Sequence, residues 1–480
     1  MDVNFGLFDL WVVSPLIALF LFSILPLTIK VLSQNKEGNP FIPMTIGVLG
    51  VVVAAALMGT FRDLGGAVAF QQSLVFDSIS SQVGFLVLAV TAVALIFSRE
   101  NLATKTGQFS EFVFLLLNAA IGMLVVIWSN DLIIAFIGIE MMSLCLYVLI
   151  ALSREERLSK ESAFKYFVLS SFASAIMLYG FAFIYGSVGS TYLNEISTIG
   201  ASLMGTSYIF LLGVVLSIVG LAFKVALVPF HAWAADVYQG SPTPLTAFMA
   251  TGVKAVSFVL FARVLMSEVL VAPSAEVLVN ALQWLAVMTM MVGNIAAIGQ
   301  SDFKRMLAYS SVAHSGYVMM GVIAAGLVGG AGAGAGLSAV VFYLVAYSVM
   351  TLGAFGMISL LEKREDSQVY IEDLKGLGQR NPWMALFIAV FMLALAGIPP
   401  TLGFFGKFYV FMAAIEQQLY WLVFWGLLSS AIGLYYYLRP IVLMYMAEDV
   451  RGIDVVGSRH LTSFAVAMTA LIVLFAGLLL

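Results

Sequence analysis

From about residue 10 to the last residue, long apolar runs alternate with short polar breaks. A run of about 20 apolar residues crosses ~30 Å of hydrocarbon at a helical rise of about 1.5 Å per residue, so each run reads as a membrane-spanning helix. The pattern predicts spans near 10–32, 41–59, 79–98, 112–128, 132–152, 162–185, 208–228, 244–269, 277–298, 304–327, 337–361, 383–415, 419–445 and 461–480. That is about fourteen spans with no separate soluble domain left over. The first run has no basic segment before it and no small-residue cleavage site after it, which predicts a permanent span and not a signal peptide. The expected fold class is an all-α polytopic membrane protein.

Two of these spans carry prolines where a helix cannot continue. Span 7 reads Gly220-Leu-Ala-Phe-Lys224-Val-Ala-Leu-Val-Pro229-Phe-His231. Span 12 reads Ala396-Gly397-Ile398-Pro399-Pro400-Thr401-Leu402-Gly403-Phe-Phe-Gly406-Lys407. Proline donates no backbone hydrogen bond and clashes with the preceding turn, so both helices are expected to break. Unwound backbone at membrane depth is tolerated only beside a polar cavity, and breaks at matching places in two halves point to an ion site.

The halves do resemble one another. Ser129-Asn130-Asp131 opening span 5 corresponds to Gln300-Ser301-Asp302 opening span 10, and at that offset Glu140 falls opposite Ser311. Ser162-Ala163, Tyr166 and Gly180 in span 6 match Ser338-Ala339, Phe342 and Gly356 in span 11. Spans 4–8 and 9–13 are therefore expected to be two five-helix repeats. An odd number of spans per repeat makes them inverted. The segments expected are 1–111, a three-helix N-terminal part; 112–271 and 272–447, the repeats; and 448–480, a C-terminal helix.

Composition fits this picture: 62% of the 480 residues are hydrophobic and 10% charged, whereas soluble domains carry roughly 25% charged residues. The net charge of −4 and the lack of a basic cluster with interleaved aromatics argue against nucleic-acid binding. One cysteine, Cys145, cannot build a disulfide framework or ligate an iron-sulfur cluster. Nor does the glycine-rich stretch 326–336 make a phosphate cradle, since no basic residue stands in it or closely follows it.

The placement of charge sets orientation and then isolates the chemistry. With the N-terminus outside, the inside loops hold Lys30, Lys36, Arg99, Lys105, Arg154, Arg157, Lys160, Lys165, Lys304, Arg305, Lys363, Arg364, Lys375, Arg380, Arg451 and Arg459, and the outside loops hold only Arg62. The positive-inside rule therefore predicts both termini on the side away from the cytoplasm. Five basic residues remain inside spans: Lys224, Lys254, Arg263, Lys407 and Arg439. Lys254 lies ten residues after Pro244, near the middle of span 8, too deep to snorkel easily. Glu140 is the acidic residue that falls well inside a span. A charged side chain at mid-membrane costs roughly 2.5–3.5 kcal/mol, so Glu140, Lys224, Lys254 and Lys407 unpaired and unhydrated cost ~10 kcal/mol together.

Lysine suits a relay because burial and a nearby carboxylate pull its protonation equilibrium in opposite directions. Arginine stays protonated, so Arg263 and Arg439 are expected to be structural. His231 after the span 7 break and His314 in mid-span are candidate relay members, although a satisfied interior histidine is common. Lys165 reads equally as a cytoplasmic anchor, and Glu155, Glu156 and Glu161 as a solvated face.

The stretch from Phe223 to Pro244, with Lys224, Pro229, His231, Trp233, Asp236, Tyr238, Gly240 and Pro242, resembles the signature of the antiporter-like proton-pumping subunits of respiratory complex I. So do the stretch Ala396–Lys407 and Glu140 within Ile139-Glu140-Met-Met-Ser143-Leu-Cys-Leu-Tyr147. The resemblance covers nearly the whole chain. Lys407, where the M type has glutamate, and a chain ending after span 14, without the lateral helix of the L type, make the N type closest.

The resemblance implies that the residue at Glu140 pairs with that at Lys224, and that Lys254 and Lys407 continue a hydrated proton path. It implies a bacterial inner-membrane subunit among neighbouring antiporter-like subunits, with NADH, FMN, iron-sulfur clusters and quinone in partner subunits and no cofactor in this chain. Ala235 and Gln239 depart from the usual proline and glutamate. A multisubunit sodium/proton antiporter subunit shares the fold and the charges and is the alternative.

Overall fold

The computed structural model describes residues 6–33, 39–61, 66–101, 108–152, 157–265, 269–328, 334–362, 368–448 and 459–479. Lys36, Arg62, Lys105, Arg154, Lys363, Arg364 and Arg451 of the charge pattern, Glu155 and Glu156, and residues 329–333 of the glycine-rich stretch lie outside the described residues.

Twelve helices among the described residues are long and apolar enough to cross a membrane. They are span 1 (Ser14–Leu32), span 2 (Phe41–Gly59), span 3 (Ser78–Asn101), span 4 (Phe109–Trp128), span 5 (Leu132–Ala151), span 6 (Arg157–Val188), span 8 (Thr243–Leu265), span 9 (Glu276–Ile298), span 10 (Phe303–Val328), span 11 (Gly334–Leu361), span 13 (Tyr420–Met446) and span 14 (His460–Leu479). Two shorter apolar helices, Tyr208–Lys224 and Pro382–Ala396, open spans 7 and 12. After unwound segments these spans resume as Ala232–Gly240 and Leu402–Glu416. The first run differs from expectation by opening with a separate turn, Leu7–Val12, before the helix from Ser14. A small antiparallel hairpin, Ala67–Ala69 with Leu74–Phe76, joins spans 2 and 3.

The spans sort by burial. Span 8 is buried along its whole apolar length and spans 10 and 11 along most of theirs, whereas spans 1 and 14 are largely exposed. Lipid removes the hydrophobic drive between helices, so close contact relies on small residues. Gly122 of span 4 and Gly138 of span 5 face each other so tightly that a Cβ on Gly122 would stand 2.8 Å from the Gly138 carbonyl oxygen. A Cβ on Gly293 of span 9 would likewise stand 2.5 Å from the Ala313 nitrogen of span 10.

The same local construction recurs at the start of spans 5 and 10. Leu132 N–H donates to the Thr191 carbonyl at 2.9 Å and Leu193 N–H to Asn130 at 2.8 Å. Phe303 N–H donates to Val369 at 2.9 Å and Ile371 N–H to Ser301 at 2.8 Å. In each half the segment after the following long helix thus returns to clip the residues around an aspartate, Asp131 or Asp302.

Candidate functional site

The span 7 helix ends at Lys224 because Ala226 turns left-handed, with φ +58°, and Leu227 N–H reaches back to the Ala222 carbonyl at 2.9 Å. The unwinding frees backbone groups that other side chains must satisfy. Trp233 Nε1 donates to the Phe223 carbonyl at 2.9 Å, and Val228 N–H donates to Thr289 Oγ1 of span 9 at 2.9 Å. At the second break Gly397, with φ +85°, makes the turn. Here the lysine itself fills the role, with Lys407 Nζ donating to the Ala396 carbonyl at 2.8 Å.

Lys224, Lys254 and Lys407 are all buried, and the groups that bond each Nζ are neutral. Lys224 Nζ donates to Ser143 Oγ at 2.9 Å and Ser170 Oγ at 2.8 Å. Lys254 Nζ donates to the Ser311 carbonyl at 2.7 Å, Ser311 Oγ at 2.6 Å and Ser315 Oγ at 2.9 Å. Lys407 Nζ also reaches Ser430 Oγ at 3.0 Å and lies 5.1 Å from the centre of the Tyr317 ring, within cation–π range. Among the described residues, none of the three has a carboxylate within ion-pair distance.

Glu140 is half-buried on span 5, and Ser174 Oγ of span 6 donates to it at 2.5 Å. The direct pair with Lys224 that the resemblance implies is not made in this arrangement. The two groups still share one strip, because Ser143, which holds Lys224, sits one helical turn beyond Glu140.

His314 lies between the two serines that hold Lys254, on the same helix, and is buried. Its Nδ1 is 2.6 Å from Tyr343 Oη and its Nε2 3.0 Å from Tyr437 Oη, and Tyr437 bonds onward to Ser310. Span 10 therefore carries Ser311, His314, Ser315 and Tyr317 in succession and joins Lys254 to Lys407. Below this strip Asn294 of span 9 ties Tyr317, Ser429 and Tyr436 into one buried hydrogen-bonded hub. Between Lys224 and Lys254 the link is aromatic: Tyr147, Tyr166, Trp233 and Tyr238 contact in sequence at centroid distances of 5.1, 4.9 and 6.0 Å.

His231 does not join these groups. It is half-buried beside exposed Pro229, and its Nδ1 has no hydrogen-bond partner. Arg263 and Arg439 are braces: Arg263 Nη2 reaches Asp77 Oδ2 at 2.9 Å, and Arg439 Nη1 donates to the Gln300 carbonyl at 3.1 Å. Lys165 pairs with Glu161 at 2.7 Å and with Asp236 at 2.9 Å. Gln239, one of the two departures from the usual motif, donates to Asp302 at 3.2 Å and accepts from Arg305 at 3.0 Å, so it ties the first half to the second.

Lys304 differs from its reading as a loop anchor. It is buried at the start of span 10 and paired at 3.2 Å with Glu362, a buried carboxylate that span assignment alone did not single out. The neutral partners also went unmarked in the sequence, although the offset aligning Glu140 with Ser311 already placed a polar group opposite the carboxylate. Among the described residues, no group of three or more His, Cys, Asp and Glu side chains is placed to hold a metal ion.

Residues 129–433 match the family described as NADH:quinone oxidoreductase/Mrp antiporter, TM. NADH-quinone oxidoreductase subunit N of Bdellovibrio bacteriovorus is 51% identical over 476 residues, covering 99% of this chain and 96% of that protein. A chain of respiratory complex I from Thermus thermophilus with bound aureothin superposes with TM-score 0.81 at 32% identity, covering 97% of each chain. A chain of an archaeal membrane-bound sulfane sulfur reductase, at 21% identity and TM-score 0.84, covers 98% of this chain and 94% of its own and shares the fold.

Proposed function

We propose that this chain, which belongs to the subunit N family of NADH-quinone oxidoreductase, antiporter-like subunits of a membrane complex, carries protons across the bilayer while quinone is reduced elsewhere in the complex. The observation that carries this reading is the row of three buried lysines with neutral partners, joined through span 10. A structural ion pair would hold its lysine against a carboxylate. A carrier needs surroundings that tolerate both ammonium and amine, and a hydroxyl can accept from the first or donate to the second.

In the cycle, a charge change in a neighbouring subunit draws Glu140 toward or away from Lys224. With Glu140 away, Lys224 yields its proton, which passes toward Lys254, His314 and Lys407; when Glu140 returns, Lys224 is reloaded from the cytoplasmic side. Every transfer moves one proton from nitrogen to a hydroxyl, imidazole or amine, and no electron carrier binds in this chain. Spans 4–8 and 9–13 act as inverted halves about the strip, in a bacterial inner membrane with both termini outside. His231 stands apart from the strip and enters no step.

The test replaces Lys224 with Ala in the intact complex in proteoliposomes. We expect assembly to persist and NADH-driven pumping to fall severely. Assembly, NADH oxidation and pumping all at native levels would overturn the proposal.

A further inference from the structure

One buried charge cluster takes no part in the strip. Lys304, the second residue of span 10, and Glu362, just past the end of span 11, are 1% and 2% exposed and pair at 3.2 Å. Thr243 Oγ1, at the first residue of span 8, donates to the same carboxylate, and Lys304 Nζ reaches the Ser241 carbonyl at 3.4 Å. The charged groups that face the pair from adjoining elements have partners, and one of them, Arg459, bonds the main chain of Glu362 itself. Arg459 at the start of span 14 bonds the carbonyls of Ser359 and Glu362, Arg305 pairs with Asp236, and Asp302 accepts from Gln239 and from Arg305 N–H. An ion pair taken fully out of water is weak support for stability, since well-packed apolar side chains of similar volume do as well or better.

Both helices that begin at this pair lead to Lys254. Along span 10, Ser311 stands seven residues from Lys304 and bonds Lys254 Nζ. Along span 8, Lys254 stands eleven residues from Thr243, about 16 Å at helical rise. Hydroxyls lie between the two positions. Tyr238 and Tyr347 both approach Ser311, and Thr351 lies beside Tyr347. Tyr238 Oη and Thr351 Oγ1 are buried, and their contacts with Ser311 and Tyr347 fall short of full hydrogen-bond geometry. Buried hydroxyls with incomplete hydrogen bonds are costly unless water bridges them, so a chain of such groups between the two positions suits a water path.

We propose that the Lys304–Glu362 pair is the proton inlet to Lys254 from the side where spans 8 and 10 begin, the side that charge asymmetry predicts to be cytoplasmic. The Glu362 carboxylate takes a proton from bulk water and becomes neutral, which frees Lys304 from the pair. The neutral carboxyl then gives up a proton through water and the Thr351, Tyr347 and Tyr238 hydroxyls to the Lys254 amine. This restores the carboxylate and leaves an ammonium on Lys254. One proton enters and one is delivered, and no bond other than O–H and N–H forms or breaks.

The inference rests on Lys254 as a proton carrier, so the intact complex in proteoliposomes is compared in four forms: Lys254→Met, Glu362→Gln, Glu362→Asp and the double variant Lys304→Met with Glu362→Met. The expected result is at least a tenfold loss of NADH-driven pumping in Lys254→Met, Glu362→Gln and the double variant, with Glu362→Asp keeping at least a third. Glu362→Gln leaves Lys304 buried without its counter-charge and can fail to assemble. The double variant removes both charges and then carries the test. A second measurement uses Glu362→Asp, which keeps both charges: redox-induced infrared difference spectra should contain a carboxyl C=O band that moves in this variant. Pumping by the double variant within twofold of native, or no band that moves in Glu362→Asp, overturns the inlet. Native pumping by Lys254→Met overturns the carrier role instead, so the two failures are distinguishable.

Discussion

Removing the two hydroxyls that hold Lys224 tests the neutral-partner idea most directly. Ser143 and Ser170 are fully buried and supply both hydrogen bonds that Lys224 Nζ makes, at 2.9 and 2.8 Å. A hydrogen bond to a charged group contributes about 1.5–3 kcal/mol, so Ser143→Ala with Ser170→Ala removes about 3–6 kcal/mol from the ammonium form. Each change removes only one oxygen, so packing is nearly kept. At about 1.36 kcal/mol per decade, each single variant should slow a cycle that requires protonated Lys224 about ten- to hundredfold, and the double variant more. The assay is NADH-driven proton uptake by the purified complex in proteoliposomes, with assembly checked by co-purification of the other subunits. Glu140 can blunt the effect by swinging from Ser174 onto the orphaned ammonium. A double-mutant cycle with Glu140→Gln isolates that compensation, because coupled residues depart from additivity. A double serine variant that assembles fully and pumps within threefold of native, with Glu140→Gln adding nothing, would refute the reasoning.

Gly397→Ala should disturb the second break, since φ +85° disfavours a side chain by about 1–2 kcal/mol and the new Cβ would stand 3.0 Å from Lys407 Cδ; lower pumping and a lower unfolding temperature check this, and native values for both would count against it. At the outer end, hydrogen bonds from Phe70 N–H and then Gly6 N–H hold the Asp9 carboxyl below its ordinary value. A depressed carboxyl adds stability that is present above its unfolded value and lost as pH falls through its folded value, so hydrogen exchange at Phe70 should rise below about pH 4 and be fast at all pH values in Asp9→Asn.

Much of this was legible because the bilayer imposes strict rules. Span number follows from hydrocarbon thickness, and the breaks follow from Pro229, Pro399 and Pro400 in runs otherwise long enough to cross. Lys254 could be placed at depth because ten residues of helix separate it from Pro244 in either description. Lys304 was misplaced for the opposite reason. It lies one residue inside a helix whose end is uncertain by several, and a lysine stem can reach either water or a buried carboxylate over that distance. Its partner, Glu362, lies at a similarly ambiguous boundary. The serines and tyrosines around the lysines could not be chosen from sequence, because hydroxyls are common in membrane helices and most bond to their own backbone, as Thr91, Ser98 and Ser348 do here.

The two breaks hold their lysines by different means, and the difference bears on direction. At the first break, the Phe223 carbonyl accepts from Ala226 N–H and from Trp233, so Lys224 is left with hydroxyl partners alone. Both hydroxyls can rotate between accepting and donating, so the nitrogen keeps two hydrogen bonds whether or not it carries the extra proton. At the second break, Lys407 itself takes the Ala396 carbonyl, which can only accept. An amine can still donate to that carbonyl, so Lys407 stays in place after losing a proton, but moving away would leave a buried carbonyl unpaired at about 1–3 kcal/mol. Lys224 is therefore free to exchange partners with Glu140 while Lys407 is pinned. In the proposed relay, one movable end and one fixed end would respond to a neighbouring charge at the movable end, so the coupling input is expected at the Glu140 side of the strip.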